Sequence, residues 1–255
     1  MSFLVAYHTD LGNRKKTNQD ALLMKSVRTR KGRIGLFVVC DGMGGLSDGE
    51  LASATVIRSL ARWFEENVQT TVENEKEEEL YNQLEQTLHE VNGKIDMYGT
   101  SLNKKLGTTV TALLVVYSTY YIFQVGDSRA YNITRDSLTK VTEDQTLVAR
   151  EVKRGNLTEE QAKLDPRKNV LLQCIGASKE IEVVVTKGEC KDASLFLLCT
   201  DGFYRKLHEE EMIHHLNPEQ LNSTKAMEEK AKELVEMVKQ RNEQDNITVL
   251  LTKVS

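Results

Sequence analysis

Apolar and polar positions along this chain follow two spacings, which predict strands and helices in separate blocks. Residues 36–40 are four apolar residues and a cysteine, rich in β-branched and aromatic types. This run is too short for an ordinary helix and predicts a buried strand that stops at Asp41. Comparable runs predict strands at 3–7, 21–27, 107–116, 120–131, 181–186, 194–200 and 247–251, with a short hairpin-like segment at 132–142.

Helical spacing is clearest at 75–98, where leucines recur at four-residue steps and predict an amphipathic helix. A helix is also predicted at 48–68, with Asp48 or Ser47 available as its N-cap. Further helices are predicted around 145–154, from 158 onward with a capping box at Thr158 and Gln161, at 209–216 and at 224–242.

The order of these elements indicates the fold class. The first strands are expected to form a β-meander, two helices follow, and a second block of strands comes after them. An irregular, partly helical excursion covers 143–176 before the final strands and helices. Segregated blocks of this kind predict an α+β fold in which two antiparallel sheets pack together with helices outside. One domain is expected over 1–255, because this length supports one substantial core.

Composition and charge exclude several classes of function. The chain has 255 residues, of which 40% are hydrophobic and 28% charged, and a formal net charge of −4, so it carries no basic footprint for nucleic acid or an anionic membrane. No apolar run approaches the roughly 20 residues that cross a bilayer. The first nine residues lack the basic start and apolar stretch of a signal peptide. We therefore expect a soluble, cytoplasmic protein that acts as a monomer.

The four cysteines carry no metal-binding pattern. They lie at 40, 174, 190 and 199, with no C-x-x-C pair and no neighbouring histidine. Cys40 and Cys199 fall inside apolar strand runs and are expected to be small buried hydrophobic residues, which fits a reducing compartment.

Four aspartates share one local context. Asp41, Asp127, Asp201 and Asp245 each lie at the edge of an apolar strand-like run. By itself Asp41-Gly42 also fits a hairpin turn, but a helical pattern and not a strand follows it. If the strands are neighbours, the carboxylates meet at one end of the sheets, where they would repel one another unless a divalent cation binds them.

The types of ligand in this group narrow the choice of metal ion and of reaction. Carboxylates and backbone carbonyls, without thiolate or imidazole, favour Mg²⁺ or Mn²⁺. Two such ions about 3.5 to 4 Å apart can activate a bridging water for in-line attack on phosphorus. This chemistry needs no protein nucleophile, and Ser128 has no plausible base partner in the sequence.

Eight short motifs occur in an order that resembles one family. They are Thr9-Asp10-Leu11-Gly12, Asn18-Gln19-Asp20, Asp41-Gly42-Met43-Gly44-Gly45, Gly107-Thr108-Thr109, Gly126-Asp127-Ser128-Arg129, Thr142-Glu143-Asp144, Cys199-Thr200-Asp201-Gly202 and Asp245-Asn246-Ile247-Thr248. The chain resembles the type 2C metal-dependent serine/threonine protein phosphatases in their compact bacterial form, over about residues 9–248.

The resemblance implies a set of metal ligands. Asp41 would bridge two catalytic ions and the carbonyl of Gly42 would bind the first of them, while Asp201 and Asp245 would complete the second. Asp127 would hold, with Asp201, the third and weaker ion of bacterial relatives. The ions would be Mn²⁺ or Mg²⁺.

The resemblance also implies a fold, a substrate and a partner. The fold is a β-sandwich flanked by helix pairs, with the metal site at one end and a variable flap at about 143–176. Asp20 would orient the attacking water from behind the metals. The substrates would be phosphoserine and phosphothreonine in proteins, hydrolysed in one step without a phospho-enzyme, and the enzyme would reverse the action of a bacterial serine/threonine kinase.

Four positions depart from the family pattern. Gln19 replaces a glutamate of many relatives, and Gln145 replaces a histidine. The phosphate-binding arginine aligns with Lys15, beside Arg14, so either residue is a candidate for that role. Met43 replaces the histidine general acid of eukaryotic relatives.

Two other functions remain open from the sequence. A pseudophosphatase-like regulator would bind phosphoproteins without turnover, which Gln19 and Lys15 would favour. A phosphatase of small phosphoesters would use the same metal site. The four aspartates favour the protein phosphatase over the regulator.

Overall fold

The computed structural model describes residues 2–43, 48–135, 137–191 and 194–254. Within these ranges the strands form two five-stranded antiparallel sheets. The first sheet contains, in spatial order, β1 (Phe3–Asp10), β10 (Ile247–Val254), β9 (Leu195–Cys199), β6 (Arg129–Ile133) and β7 (Leu138–Lys140). The second contains β2 (Ala21–Arg28), β3 (Arg33–Cys40), β4 (Val110–Val116), β5 (Thr119–Val125) and β8 (Val184–Glu189).

The two sheets pack face to face as the predicted sandwich. Phe37 and Leu113 of the second sheet belong to the same buried cluster as Phe196 and Leu250 of the first. Tyr120 meets Phe196 edge to face across the interface, with ring centroids 4.9 Å apart. Alternate residues of β3 and β4 thus fill the space between the sheets, while their neighbours face outward.

Helices cover the outer face of each sheet, which confirms the predicted α+β class. On the second sheet, Trp63, Phe64 and Leu84 join a cluster with Leu36 and Val38 of β3. The helices on this side are α1 (Gly49–Glu73) and α2 (Glu79–Ser101). The first sheet is covered by α5 (Asp201–Tyr204), α6 (Glu209–His215) and α7 (Thr224–Gln240). Two short helices, α3 (Leu147–Lys153) and α4 (Glu159–Leu164), lie in the excursion.

The prediction of one strand over 120–131 is wrong. The chain leaves the second sheet after Val125 and enters the first at Arg129. Gly126 allows this crossing because its φ of +105° lies in a region that side chains disfavour. Asp127 therefore lies in the crossing between the sheets and not within a strand.

The prediction that the first strand begins a meander is also wrong. β1 pairs with β10 along its whole length, from Phe3 opposite Val254 to Asp10 opposite Ile247. The meander instead runs from β2 to β5 in the second sheet. Pairing of the first and last strands brings the loop after β1 beside Asp245.

Two helix starts have features that the sequence did not predict. Asp48 is the N-cap of α1, but it makes no side-chain cap and its carboxylate accepts a hydrogen bond from Lys104 Nζ at 2.6 Å. Ser47, the other candidate, lies outside the described residues. Asp201 directly follows the predicted strand 194–200, as expected, but it opens the short helix α5, which the sequence did not predict. The capping box of Thr158 and Gln161 is confirmed.

The structure also bears on the cysteines and on whether any helix could span a membrane. Cys40 and Cys199 are fully buried, as predicted, and all four cysteines are unpaired. Across the ranges the structure describes, each helix is too short or too polar to cross a bilayer.

Candidate active site

The strand ends converge on one cavity of about 590 Å³. Its walls include all four predicted metal-binding aspartates, together with two basic side chains, Lys15 and Arg205, and Met43. The aspartates are Asp41 after β3, Asp127 in the sheet crossing, Asp201 after β9 and Asp245 before β10. Residues distant in sequence thus meet at one end of the sandwich.

Backbone contacts hold Asp41 at the end of β3. Its N–H donates to the hydroxyl of Thr109 at 3.0 Å, and its carbonyl accepts from the Thr108 hydroxyl and the Thr109 N–H, each at 2.9 Å. The next position requires glycine, because a Cβ on Gly42 would lie 2.4 Å from the carbonyl oxygen of Gln19. This close packing orders the carbonyl that the resemblance assigns to a metal.

Two buried carboxylate oxygens have no hydrogen-bond partner among the described residues. Asp20 Oδ2 accepts a hydrogen bond from the Thr200 hydroxyl at 2.9 Å, while Asp20 Oδ1 has no partner. Asp201 Oδ1 is likewise buried and unpartnered. A buried carboxylate oxygen without a partner is costly. A cation, or the water it carries, would satisfy both atoms.

Desolvation and mutual repulsion raise the pKa values of the cluster. Desolvation, followed by the charge of Asp201, lifts the pKa of Asp41 well above its ordinary value. Desolvation raises the pKa of Asp20 and of Asp127 to about 7, again with a contribution from Asp201. A divalent cation would remove this conflict, and an all-oxygen donor set suits Mg²⁺ or Mn²⁺.

Basic side chains engage two of the predicted ligands. Lys15 Nζ lies 2.7 Å from Asp245 Oδ1, and the Arg205 guanidinium pairs with Asp201 Oδ2. Among the described residues no three Asp, Glu, His or Cys side chains already form a group able to hold a metal. The donor atoms fit a cation, since Asp201 keeps its buried Oδ1 free for a metal while Arg205 pairs with its Oδ2.

The structure separates the two candidates for phosphate binding. Lys15 lines the cavity, whereas Arg14 is exposed and does not belong to its lining. Asn246 shapes this loop, since its Nδ2 donates to the carbonyls of Leu11 and Thr17 at 3.0 and 3.1 Å. Sequence reasoning missed that role, although Asn246 follows Asp245 in a motif.

Asp127 is held by a group of side chains that the sequence did not reveal. Arg129 donates two hydrogen bonds to Asp144, at 2.9 and 2.6 Å, and lies 3.5 Å from the ring centroid of Tyr204. The Tyr204 hydroxyl donates to the carbonyl of Asp127 at 3.1 Å. Gln145 Oε1 accepts the N–H of Gly126 at 2.7 Å, so it fixes the backbone directly before Asp127.

The predicted flap reaches the cavity. Leu171, Leu172, Gln173 and Cys174 line it, and Thr146 forms an isolated bridge with Leu171. Gln19, by contrast, contributes its backbone, since its carbonyl accepts from the Gly42 N–H at 3.1 Å and the Ser53 hydroxyl at 2.7 Å. Gly44 and Gly45 lie outside the described residues.

Comparison with known proteins agrees with this architecture. The model of the family Protein phosphatase 2C matches residues 12–250. The serine/threonine phosphatase stp of Listeria innocua is 34% identical over 251 residues, covering 97% of this chain and 94% of that protein. The structure of the S. agalactiae serine/threonine phosphatase has a TM-score of 0.85 and 28% identity, and the match covers 100% of both chains.

A second similar structure contains metal. It is the catalytic domain of the serine threonine protein phosphatase PstP in complex with two manganese ions, with a TM-score of 0.75, 25% identity, and coverage of 98% of this chain and 97% of that one. The family model and the relatives span nearly the whole chain and agree with the fold. The chain therefore belongs to the protein phosphatase 2C family.

Proposed function

We propose that this protein is a metal-dependent phosphatase that hydrolyses phosphoserine and phosphothreonine in proteins. The observation that carries the proposal is the convergence of Asp41, Asp201 and Asp245 on one cavity, with an unpartnered buried oxygen on Asp201. Asp41, the Gly42 carbonyl, Asp201 and Asp245 would hold two ions, Mn²⁺ or Mg²⁺. The similar phosphatases named above support the reaction class.

The two ions would supply Lewis-acid activation of a water for in-line attack and would neutralise the phosphate charge. The chain's own residues would position the reactants. Asp20, with its free buried oxygen, would accept a hydrogen bond from that water and orient it. Lys15, whose ammonium already contacts a carboxylate in the cavity, would hold the phosphate of the substrate.

A single displacement without a phospho-enzyme is supported by the surroundings of Ser128. This side chain is fully buried, and its hydroxyl lies 2.7 Å from the Thr109 hydroxyl, so it is not available as a nucleophile. Met43 lines the cavity but cannot donate a proton. The leaving alkoxide would therefore take its proton from a water or from another group of the cavity.

The decisive experiment measures phosphate release from a phosphothreonine peptide with Mn²⁺. Wild type should turn over, while Asp41→Asn should not, and Asp96→Asn on α2, outside the cluster, should match wild type. Release no faster than that of Asp41→Asn would refute the proposal. Binding of the peptide without turnover would indicate the regulator instead, and turnover of p-nitrophenyl phosphate alone would indicate a small-ester phosphatase.

The proposal extends to a location in the reducing cytoplasm and to a kinase partner. All four cysteines are free of disulfide bonds, and three of them are buried. Free cysteines support a reducing, cytoplasmic location. A cytoplasmic phosphatase of this class would reverse the action of a serine/threonine kinase of the same cell. Phosphorylated kinase offered as a substrate, with a phosphotyrosine protein as the control, would test that pairing.

A further inference from the structure

Arg205 lies where the fold family is expected to bind a third metal ion. It follows the four-residue helix α5, and its N–H donates to the Asp201 carbonyl at 3.1 Å. Position 205 is four residues after Asp201, so one helical turn brings the two side chains onto the same face. Both side chains line the cavity that also contains Asp127.

The guanidinium of Arg205 is committed to this carboxylate cluster. It pairs with Asp201 Oδ2, and its side chain is only 24% exposed. Asp127 lines the same cavity as this ion pair. The guanidinium therefore lies in the cavity that contains both aspartates that the third ion would require.

Among the described residues that line the cavity, Arg205 is the only arginine. Arg129 donates two hydrogen bonds to Asp144 and one to the Tyr131 hydroxyl at 3.0 Å. Its planar face lies over the Tyr204 ring. Arg129 thus supports the site from behind, whereas Arg205 reaches into the cavity.

We propose that the Arg205 guanidinium is the resident cation beside Asp127 and Asp201 and replaces the third divalent ion there. The inference rests on the proposed two-metal function. A divalent ion at this point would have to displace a tethered guanidinium from Asp201 and then stay beside its positive charge. An arginine cannot lose that charge by deprotonation. The enzyme would therefore bind two divalent ions and not three.

The test counts manganese per chain by equilibrium dialysis and elemental analysis, from micromolar to millimolar Mn²⁺ at pH 7.5. Wild type should bind two ions, and Arg205→Gln should gain a third. Removal of the opposing charge should tighten the third site by about tenfold or more. Arg205→Lys keeps the charge and should bind two. Arg205→Gln combined with Asp127→Asn should lose the added ion.

Several results would separate this inference from the proposed function. Three ions on wild type, or two on Arg205→Gln, would overturn the replacement by Arg205 while leaving the two-metal enzyme intact. No manganese on wild type would overturn the proposed function, and the inference with it. Arg205→Met serves as a second neutral variant, and fluorescence of Trp63 and circular dichroism verify that each variant is folded.

Discussion

Asp127→Asn should stabilise the metal-free protein at alkaline pH, although it removes a predicted functional residue. Asp127 is 4% exposed, and desolvation together with the charge of Asp201 raises its pKa from 3.8 to about 7. Asparagine keeps the shape of the side chain and carries no charge. The substitution therefore removes the cost of burying a carboxylate among carboxylates.

The magnitude and the sign follow from proton linkage. The folded protein holds the Asp127 proton to higher pH than the unfolded chain does, so this group costs nothing well below pH 3.8. The cost grows as the pH rises from about 4 to about 7 and is constant above that range. A difference of about 3 pKa units corresponds to about 4 kcal/mol at pH 8 and about 1 kcal/mol at pH 4.5. These are the largest gains in unfolding free energy expected for Asp127→Asn.

Urea unfolding in the presence of EDTA, followed by Trp63 fluorescence, measures this gain. Trp63 is the only tryptophan of the chain and is 5% exposed on α1. Asp96→Asn, a carboxylate-to-amide change on α2, should alter the unfolding free energy by less than about 0.5 kcal/mol at both pH values. No gain for Asp127→Asn at pH 8, or a gain that does not shrink toward pH 4.5, would refute the reasoning.

Three further predictions concern substrate binding, stability and turnover. Lys15→Ala should raise KM for a phosphopeptide by about tenfold or more in steady-state kinetics, while Arg14→Ala should leave KM within about twofold. The reason is that Lys15 lines the cavity and Arg14 does not. Equal effects of the two substitutions on KM would contradict this. Arg129→Lys should lower the unfolding free energy by about 2 kcal/mol or more, since lysine cannot form the partly buried bidentate pair with Asp144, whereas Arg167→Lys at an exposed pair should cost much less; similar urea midpoints for the two variants would rule this out. Asp245→Asn should abolish turnover yet keep the wild-type circular dichroism spectrum, because its side chain is partly exposed and an amide can still accept the adjacent N–H; an unfolded variant would count against it.

Local sequence patterns predicted much of the fold. The apolar run at 36–40, the leucine spacing of α2 and the capping box at Thr158 all depend on neighbours in sequence, and each appears in the structure at nearly the predicted place. The same holds for the candidate aspartates. A carboxylate at the end of a buried strand is recognisable because hydrophobic burial sets where the strand stops.

Long-range pairing was not available from such patterns. One apolar run at 120–131 looks continuous, yet Gly126 turns the chain from one sheet to the other. The first strand pairs with the last and not with its successor. Periodicity reports which face of a strand is buried, but the partner of that strand depends on contacts between distant segments.

The chain by itself therefore determined the fold class, the four aspartates and the family resemblance. Only the tertiary structure decided which basic side chains lie close to these aspartates. Lys15 and Arg14 are adjacent in sequence and both positively charged, but the loop held by Asn246 brings only Lys15 of these two into the cavity. Arg205 carried no sequence signal, and it gains its place because α5 turns it back toward Asp201. Charge is a property of the residue, whereas the distance between charges is a property of the fold.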